Sequence, residues 1–362
     1  MTCHDLGTAA LQPSLQHLAA AGGCVDCPMS TCPKVPLSDT LDDAVIRQLV
    51  PREARLVESK QEAEELLPEL LAARVLGLDC EGVALGRWGR LCLCQVATPQ
   101  QVFLFDGLRT GVVEVLRPVL TSTAVTKVMH DSREDSSAFL SQFDIELAGV
   151  FDSQVAHTMM LENQATKPFQ ISLNELLKSV LKLENEKETS LGQRMKKDPN
   201  IWFYRPMKED LLTYAAQDVM YLPLLHRRLC DQLGDRTGNR VMSRSQEYVK
   251  YARMNLHLSS PKAAQRRHLR LQAMLATHTD AALYFKLNLG AHRQGVVSRE
   301  EALKNFKDMH YGQIADCWVS AWNTGGNILF LERLEANAMP EPERKPGNFG
   351  WRRRRRPVGP KE

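Results

Sequence analysis

Five residues in three separate segments are candidates for a catalytic site: Asp79 and Glu81 in "LGLDCEG", Asp135 in "HDSREDSSAFL", and Tyr214 and Asp218 in "LLTYAAQDVMYL". Residues two apart on a strand face the same side, so Asp79 and Glu81 share a face. Residues four apart in a helix lie one turn from each other, so Tyr214 and Asp218 also point the same way. Burying a carboxylate on so apolar a helix is costly unless it is paired or holds a metal.

Acidic side chains from three segments need a cation if they meet. Carboxylates brought together raise each other's pKa unless a positive charge holds them. A cluster of Asp and Glu oxygens favours the hard divalent ions Mg²⁺ or Mn²⁺. Two such ions, about 3.5–4 Å apart, suit in-line phosphoryl chemistry, and a nearby tyrosine can orient the attacking water. Taken singly, each residue also has a simpler interpretation, as a strand-end turn, a charge at a helix start or a tyrosine that only packs.

The composition is that of a globular protein. The 362 residues are 43% hydrophobic and 25% charged, enough for one large domain or two ordinary ones. No run reaches the roughly 18 apolar residues of a membrane span, and the N-terminal segment is a poor secretory signal. Nine cysteines, three of them in strand-like segments, predict reduced thiols in an intracellular, cytoplasmic protein with no membrane partner.

The two ends of the chain carry separate motifs. From Arg344 onward there are eight Lys or Arg and one acid, while the whole chain carries only +3, so the rest is mildly acidic. The "WRRRRR" run could be a nuclear import signal, a phosphate-binding tail or a solvated disordered end. Near the N-terminus, Cys24, Cys27 and Cys32 could bind zinc. No fourth ligand stands at a familiar spacing, so free thiols in a flexible arm are the default interpretation.

Residues 58–235 predict a mixed α/β layer architecture. "RVLGLDCEG", "RLCLCQVAT" and "QVFLFD" predict three antiparallel strands, after which helices and strands alternate up to a long helix around 211–222. The polar stretch 182–208 is long for a loop and predicts a lid or a substrate-binding segment. Its "IWFYRP" patch could stack on bases, with Arg205 guiding the strand, or could be pinned onto the core by Trp202 and Phe203.

The C-terminal part predicts a smaller region of helices and a hairpin. Residues 243–276 are expected to be helical and contain a basic stretch, with Arg266 and Arg267 as candidate nucleic-acid contacts. "QIADCWVSAWNTGGNILFLERL" predicts a hairpin, which must pack on another element because a single hairpin is not stable alone. The predicted domains are a largely flexible N-terminal arm (1–57), the α/β domain (58–235), the helical and hairpin region (236–336) and a disordered basic tail (337–362).

Three segments carry a resemblance to a known family. "LGLDCEG", "VMHDSREDSSAF" and "YAAQDVMYL" resemble the motifs of the DEDDy group, the ribonuclease-D-like 3′–5′ exonucleases of the ribonuclease H-like fold. The resemblance covers roughly 60–232, with all three motifs in the family's order. "KVMHDSREDSSAFLSQF" and "DPNIWFYRP" are most similar to the subgroup of egalitarian and the piRNA-biogenesis exonuclease-domain proteins. The expected fold is therefore a ribonuclease H-like mixed sheet flanked by helices.

The resemblance implies a role for each of the five residues. Asp79 would bridge two metal ions, Mg²⁺ or Mn²⁺. Glu81 and Asp218 would complete one site, and Asp135 would hold the second ion, partly through water. Tyr214 would position the nucleophilic water.

Four neighbouring residues have secondary parts in the same resemblance. His130 would be the structural histidine of the second motif. Asp152 would cap the helix that begins with "SQVAH" directly after it. Gly82 and Asp131 depart from the residues that many relatives carry, but neither departure removes a ligand.

The sequence thus predicts a 3′–5′ exonuclease that acts on single-stranded nucleic acid, RNA in preference to DNA, and releases 5′-mononucleotides by a two-metal mechanism. The alternative is a non-catalytic RNA-binding adaptor of a small-RNA or mRNA-handling complex, with the C-terminal region recruiting protein partners. Such adaptors in the subgroup typically have eroded acidic residues, whereas this sequence keeps all four acids and the tyrosine.

Overall fold

A computed structural model describes residues 50–51, 53–183, 189–290 and 293–334 of the chain. The Cys24, Cys27 and Cys32 pattern and the basic tail from Arg344 lie outside the described residues, so their predicted roles stay predictions. Within the described ranges, no helix has the length and apolar sequence that crossing a membrane requires. The described cysteines are free thiols: Cys80, Cys92, Cys94, Cys230 and Cys317.

Six strands form one mixed sheet in the first part of the described chain. The strands are β1 (Ala54–Val57), β2 (Val75–Val83), β3 (Arg90–Ala97), β4 (Val102–Asp106), β5 (Thr126–Met129) and β6 (Val150–Asp152). Their order is β1-β4-β3-β2-β5-β6, with β2, β3 and β4 antiparallel and the other pairs parallel. The predicted antiparallel start is confirmed. The predicted boundary at residue 58 is wrong, because β1 pairs with β4 and belongs to the sheet rather than to a flexible arm.

Helices cover the two faces of this sheet. They are α1 (Lys60–Ala72), α2 (Arg117–Leu120), α3 (Arg133–Phe143), α4 (Ser153–Asn163), α5 (Leu173–Leu181), α6 (Thr189–Lys197), α7 (Glu209–Val219), α8 (Leu222–Leu233) and α9 (Asn239–Lys250). Ala138 and Phe139 of α3 share one buried cluster with Leu78 and Cys80 of β2. The opposite face of β2 meets α7 and α8 at Gly77.

The long helix predicted around 211–222 is two helices in the structure. α7 ends at Val219 and α8 begins at Leu222, with Pro223 in its first turn. Proline has no backbone N–H, so Pro223 cannot donate the helical hydrogen bond to the Val219 carbonyl four residues earlier. α7 therefore ends one residue after Asp218.

The last part of the described chain is a closed five-stranded barrel in the order β10-β11-β9-β8-β7. Its strands are β7 (Arg270–His278), β8 (Ala282–Lys286), β9 (Gln294–Ser298), β10 (Ile314–Trp322) and β11 (Ile328–Arg333), and α10 (Arg299–Asn305) follows β9. The predicted hairpin is confirmed as β10 and β11. The helix predicted over 243–276 is wrong after Lys250, where α9 ends: turns and short 3-10 segments follow, and residues from Arg270 form β7, whose first four residues alternate between exposed and buried as in a strand.

The barrel is fixed to α3 by buried polar contacts. The Asn288 side-chain amide donates to the Tyr251, Ala252 and Met254 carbonyls at 3.0–3.3 Å, and it accepts a 2.7 Å hydrogen bond from the Ser137 hydroxyl of α3. These partners satisfy a buried amide that would otherwise be costly.

Charged groups complete this attachment. Lys286 of β8 lies 3.6 Å from Asp131 and 3.9 Å from Glu134, the residue directly before Asp135. The Arg87 guanidinium, in the turn between β2 and β3, donates to the Asn255, Leu256 and Leu258 carbonyls at 2.8–3.0 Å. These three residues belong to the segment between α9 and the first barrel strand, β7.

A buried ion pair holds the loop between α6 and α7. Arg205 donates to both carboxylate oxygens of Asp106 at 2.6 and 2.8 Å, and to the carbonyls of Cys92, Trp202 and Tyr204 at 2.8–3.0 Å. A guanidinium has five N–H donors, and all five are used here. Arg205 therefore has no donor left for a phosphate, and its predicted role in guiding a nucleic-acid strand is wrong.

The charge of Asp106 depends on this arginine. Burial acts to raise the pKa of Asp106, but its hydrogen bonds to Arg205 and Leu108 and the positive charges of Arg205 and Arg109 outweigh burial and hold the pKa below its usual value. A carboxyl whose pKa is lowered by folding stabilises the protein above its unfolded pKa, and this contribution is lost as pH falls through the folded pKa.

We expect Arg205→Met to lower the free energy of unfolding by about 3–5 kcal/mol at pH 7, because it leaves Asp106 buried without its partner. The loss should shrink as pH falls, because the buried Asp106 of the variant, without Arg205, takes up a proton at a pH at which the paired carboxylate of the wild type is still ionised. Urea denaturation at pH 7 and pH 4 measures both values.

Arg109 is the matched control. It also lies 3.5 Å from Asp106, but its side chain is 53% exposed, so Arg109→Met should cost less than about 1 kcal/mol. Equal losses in the two variants, or a loss in Arg205→Met that does not change with pH, would contradict this account of the loop.

Candidate active site

Three of the predicted carboxylates meet at the end of β2. Asp79 and Glu81 of β2 and Asp218 of α7 each offer a carboxylate oxygen, and these atoms all lie within 4.8 Å of one another. Asp218 is buried, and the two strand residues are half-buried. Such a group of oxygen donors has the size and chemistry to hold one hard divalent cation.

Gly77 determines how closely α7 approaches β2. A Cβ atom at Gly77 would lie 2.5 Å from the Val219 carbonyl oxygen and 3.1 Å from the Leu222 Cβ. Only glycine therefore lets the end of α7 lie directly on the strand. Gly77 and Asp79 face the same side of β2, and Val219 follows Asp218, so this contact places the helix carboxylate over the strand carboxylates.

A β-bulge follows Glu81 directly. The pairing of β2 with β3 shifts between Glu81 and Gly82, and a Cβ at Gly82 would lie 2.1 Å from the Arg90 carbonyl oxygen. A bulge bends its strand and redirects the side chains beside it. The glycine at position 82 thus has a local cause, because the bulge brings the Arg90 backbone to where a larger residue would stand.

Tyr214 lies on the same helix as Asp218, one turn earlier. Its ring packs against the buried Trp202, with the ring centres 6.1 Å apart. Burial and the negative charges of Asp218, Glu81 and Asp79 raise the pKa of Tyr214. The phenol therefore keeps its proton at neutral pH and faces the carboxylate group as a neutral hydroxyl.

Asp135 comes from the other face of the sheet and is not within the 4.8 Å group. It is buried in the first turn of α3, and its Oδ1 has no hydrogen-bond partner in the described part of the chain. Burial, with the charges of Asp131, Glu134 and Asp152, raises its pKa to about 7. Asp135 and Asp79 both raise the pKa of Cys80, after burial and Cys94, so both lie in the surroundings of that residue.

His130 and Asp152 support the backbone around Asp135. His130 uses both ring nitrogens, one with the Ser153 hydroxyl at 2.8 Å and the other with the Ile171 carbonyl at 2.9 Å. Asp152 caps α4, as the sequence predicts, and it also accepts from the backbone of Asp131 and Ser132. Neither residue offers a free ligand atom to a metal, so both have structural roles.

The nucleic-acid contacts predicted at Arg266 and Arg267 stay predictions. Arg266 and Arg267 are exposed in the turn that precedes β7 of the barrel.

Two residues that build the site were not predicted from the sequence. Gly77, a glycine inside an apolar strand, is the usual sign of a close backbone approach, and Asp106 at the end of β4 is the partner of Arg205.

The donor set fits a divalent cation. Three carboxylates held within 4.8 Å repel one another unless a cation neutralises them. The partnerless Oδ1 of Asp135 is a buried oxygen of the kind that a metal or its bound water satisfies.

Comparison with known proteins places the chain in a family. The family described as 3′–5′ exonuclease matches residues 54–234, half of the chain. The piRNA biogenesis protein EXD1 of Mus musculus is 32% identical over 221 residues, which are 57% of this chain and 38% of that protein. Ribonuclease D of Xanthomonas oryzae is 31% identical over 175 residues, 46% of this chain and 45% of that protein.

A solved structure agrees with this. RNase D of Trypanosoma brucei in complex with RNA has a TM-score of 0.50 at 27% identity, over 58% of this chain and 74% of that chain. The chain spans less than half the length of the two curated relatives above. The sheet and its flanking helices are thus an RNase D-like exonuclease fold, and the chain belongs to the 3′–5′ exonuclease family.

Proposed function

We propose that this chain is a metal-dependent 3′–5′ exonuclease that hydrolyses single-stranded RNA to 5′-mononucleotides. The observation that carries the proposal is the meeting of Asp79, Glu81 and Asp218, with the Tyr214 hydroxyl one helical turn away. The preference for RNA over DNA is supported by relatives named for ribonuclease activity and by the similar structure in complex with RNA.

Four carboxylates would hold the ions. Glu81 and Asp218 would bind one ion, Asp135 would bind the second, and Asp79 would bridge them. Mg²⁺ or Mn²⁺ bound there would activate water and stabilise the leaving oxygen of the scissile phosphodiester. The partnerless Oδ1 of Asp135 supports its assignment to the second ion.

Tyr214 would act as a positioning group for the attacking water. Its raised pKa keeps the hydroxyl neutral, so the tyrosine donates or accepts a hydrogen bond and does not itself remove the proton as a phenolate. The Tyr214 ring packs against Trp202, and Arg205 holds Trp202 in place by a hydrogen bond to its carbonyl. The water would thus be aligned by a side chain that is already ordered before the strand binds.

The proposal is tested with the purified chain and 5′-labelled single-stranded RNA in Mn²⁺, Mg²⁺ or EDTA. We expect a ladder that shortens from the 3′ end only with a divalent ion, and none from Asp79→Asn. Tyr214→Phe should lower kcat by about 10²-fold or more, because the water loses its positioning hydroxyl.

Asp308→Asn, an exposed acid on the barrel, is the matched control and should keep full activity. A wild-type chain that retains RNA but never shortens it would favour the alternative function, a non-catalytic RNA-binding adaptor. The similarity to the piRNA biogenesis protein EXD1 is the observation that supports this alternative.

Gly77→Ala tests the geometry of the same site. The added methyl group meets the Val219 carbonyl oxygen, so α7 must move away from β2 and carry Asp218 with it. A displacement of ~1 Å can cost 10²-fold in rate, so kcat should fall by about this factor while circular dichroism shows a folded chain.

Gly192→Ala provides the control for that change. Gly192 lies in α6, and a Cβ there meets no atom within 4 Å, so its activity should match the wild type. Full activity in Gly77→Ala would show that the close approach of α7 is not what positions the carboxylates.

A further inference from the structure

The loop between α6 and α7 has two sides. Trp202 and Arg205 point inward, Trp202 against Tyr214 and Arg205 onto Asp106. Phe203 and Tyr204, which stand between them, are 53% and 54% exposed. Among the large hydrophobic residues that are exposed in the described ranges, these two are the ones adjacent in sequence.

A groove of about 340 Å³ lies beside Tyr204. Tyr204, Pro206, Ile201 and Leu211 line it with apolar surface, and Lys197 and Lys208 line it with positive charge. Leu211 is on α7, three residues before Tyr214, so one end of the groove is within about one helical turn of the candidate catalytic tyrosine.

The charge of the groove is available to a ligand. Lys197 and Lys208 are exposed and form no ion pair with any described residue, whereas Arg194 is paired with Asp210. Asp198, the acid of the lining, accepts a 3.0 Å hydrogen bond from the Asn200 N–H. An aromatic side chain beside unpaired cations is the combination that binds single-stranded nucleic acid, by base stacking together with phosphate contacts.

The loop is also ordered in advance. The five hydrogen bonds of Arg205 hold the backbone on both sides of Tyr204, so little conformational entropy remains to be lost when a ligand binds. An exposed aromatic ring on a fixed loop stabilises no core of its own, and it offers a planar surface of constant orientation.

We propose that this groove binds the nucleotides that precede the scissile 3′ end, with a base stacked on Tyr204 and phosphates contacted by Lys197 and Lys208. This inference rests on the proposed function, since it assigns the path of the strand next to Tyr214. It extends the contacts beyond the terminal nucleotide and explains why the loop carries outward aromatics.

The test is the affinity of the full chain for a fluorescently labelled 12-nucleotide single-stranded RNA in EDTA, measured by anisotropy. Without a divalent ion no hydrolysis occurs, so binding is measured apart from activity. Tyr204→Ala should weaken binding by about 10-fold, and Tyr204→Phe should restore it, because stacking needs the ring and not the hydroxyl.

Lys197→Ala/Lys208→Ala should weaken binding as well and make the slope of log affinity against log salt shallower by about 1.4, as the loss of two phosphate contacts predicts for a single strand. Two controls on the barrel, Phe330→Ala and Lys304→Ala, change an exposed aromatic and an exposed lysine and should leave the affinity unchanged.

An affinity of Tyr204→Ala equal to that of the wild type, or no binding by the wild type, would overturn the proposal. Equal competition by an acidic peptide would overturn the assignment of the groove to nucleic acid. Failure of the exonuclease assay would instead contradict the proposed function alone, because a chain without activity would still lose RNA affinity in Tyr204→Ala.

Discussion

The contact between Gly77 and the Val219 carbonyl is the constraint on which the candidate site depends. Because Gly77 has no Cβ, the end of α7 can lie directly on β2. A Cβ at this position would come within 2.5 Å of the Val219 oxygen. Pro223 ends α7 at this point because it offers no N–H to the same carbonyl. Asp218 is thereby delivered to Asp79 and Glu81, and three repelling carboxylates share a space suited to a cation.

Two buried polar attachments hold the surroundings of this contact. On one face of the sheet, Arg205 and Asp106 fix the loop that supports Tyr214 through Trp202. On the other face, Asn288 and Lys286 of the barrel fix α3, whose first turn carries Asp135. The site is therefore assembled between elements that are each anchored by satisfied buried groups, which is how mutually repelling carboxylates can remain ordered.

The parts of this arrangement that follow local patterns could be predicted from the sequence. The apolar runs identified β2, β3 and β4, and the motifs identified Asp79, Glu81 and Asp218, which the structure brings together. The barrel could not be predicted, because it closes through the pairing of β7 with β10, strands some forty residues apart, and because a short alternating run in a basic stretch resembles a helix. The role of Arg205 was equally hidden, since its partner Asp106 is 99 residues away.

The central proposal is that Asp79, Glu81, Asp218 and Asp135 hold two divalent ions at the end of the sheet. Its most direct test is the anomalous difference map of a crystal of the full chain grown with Mn²⁺ and a non-hydrolysable single-stranded RNA. The account predicts one peak among Asp79, Glu81 and Asp218, and a second between Asp79 and Asp135, about 3.5–4 Å from the first. No peak among the first three carboxylates, with Mn²⁺ in large excess over the protein, would contradict this account.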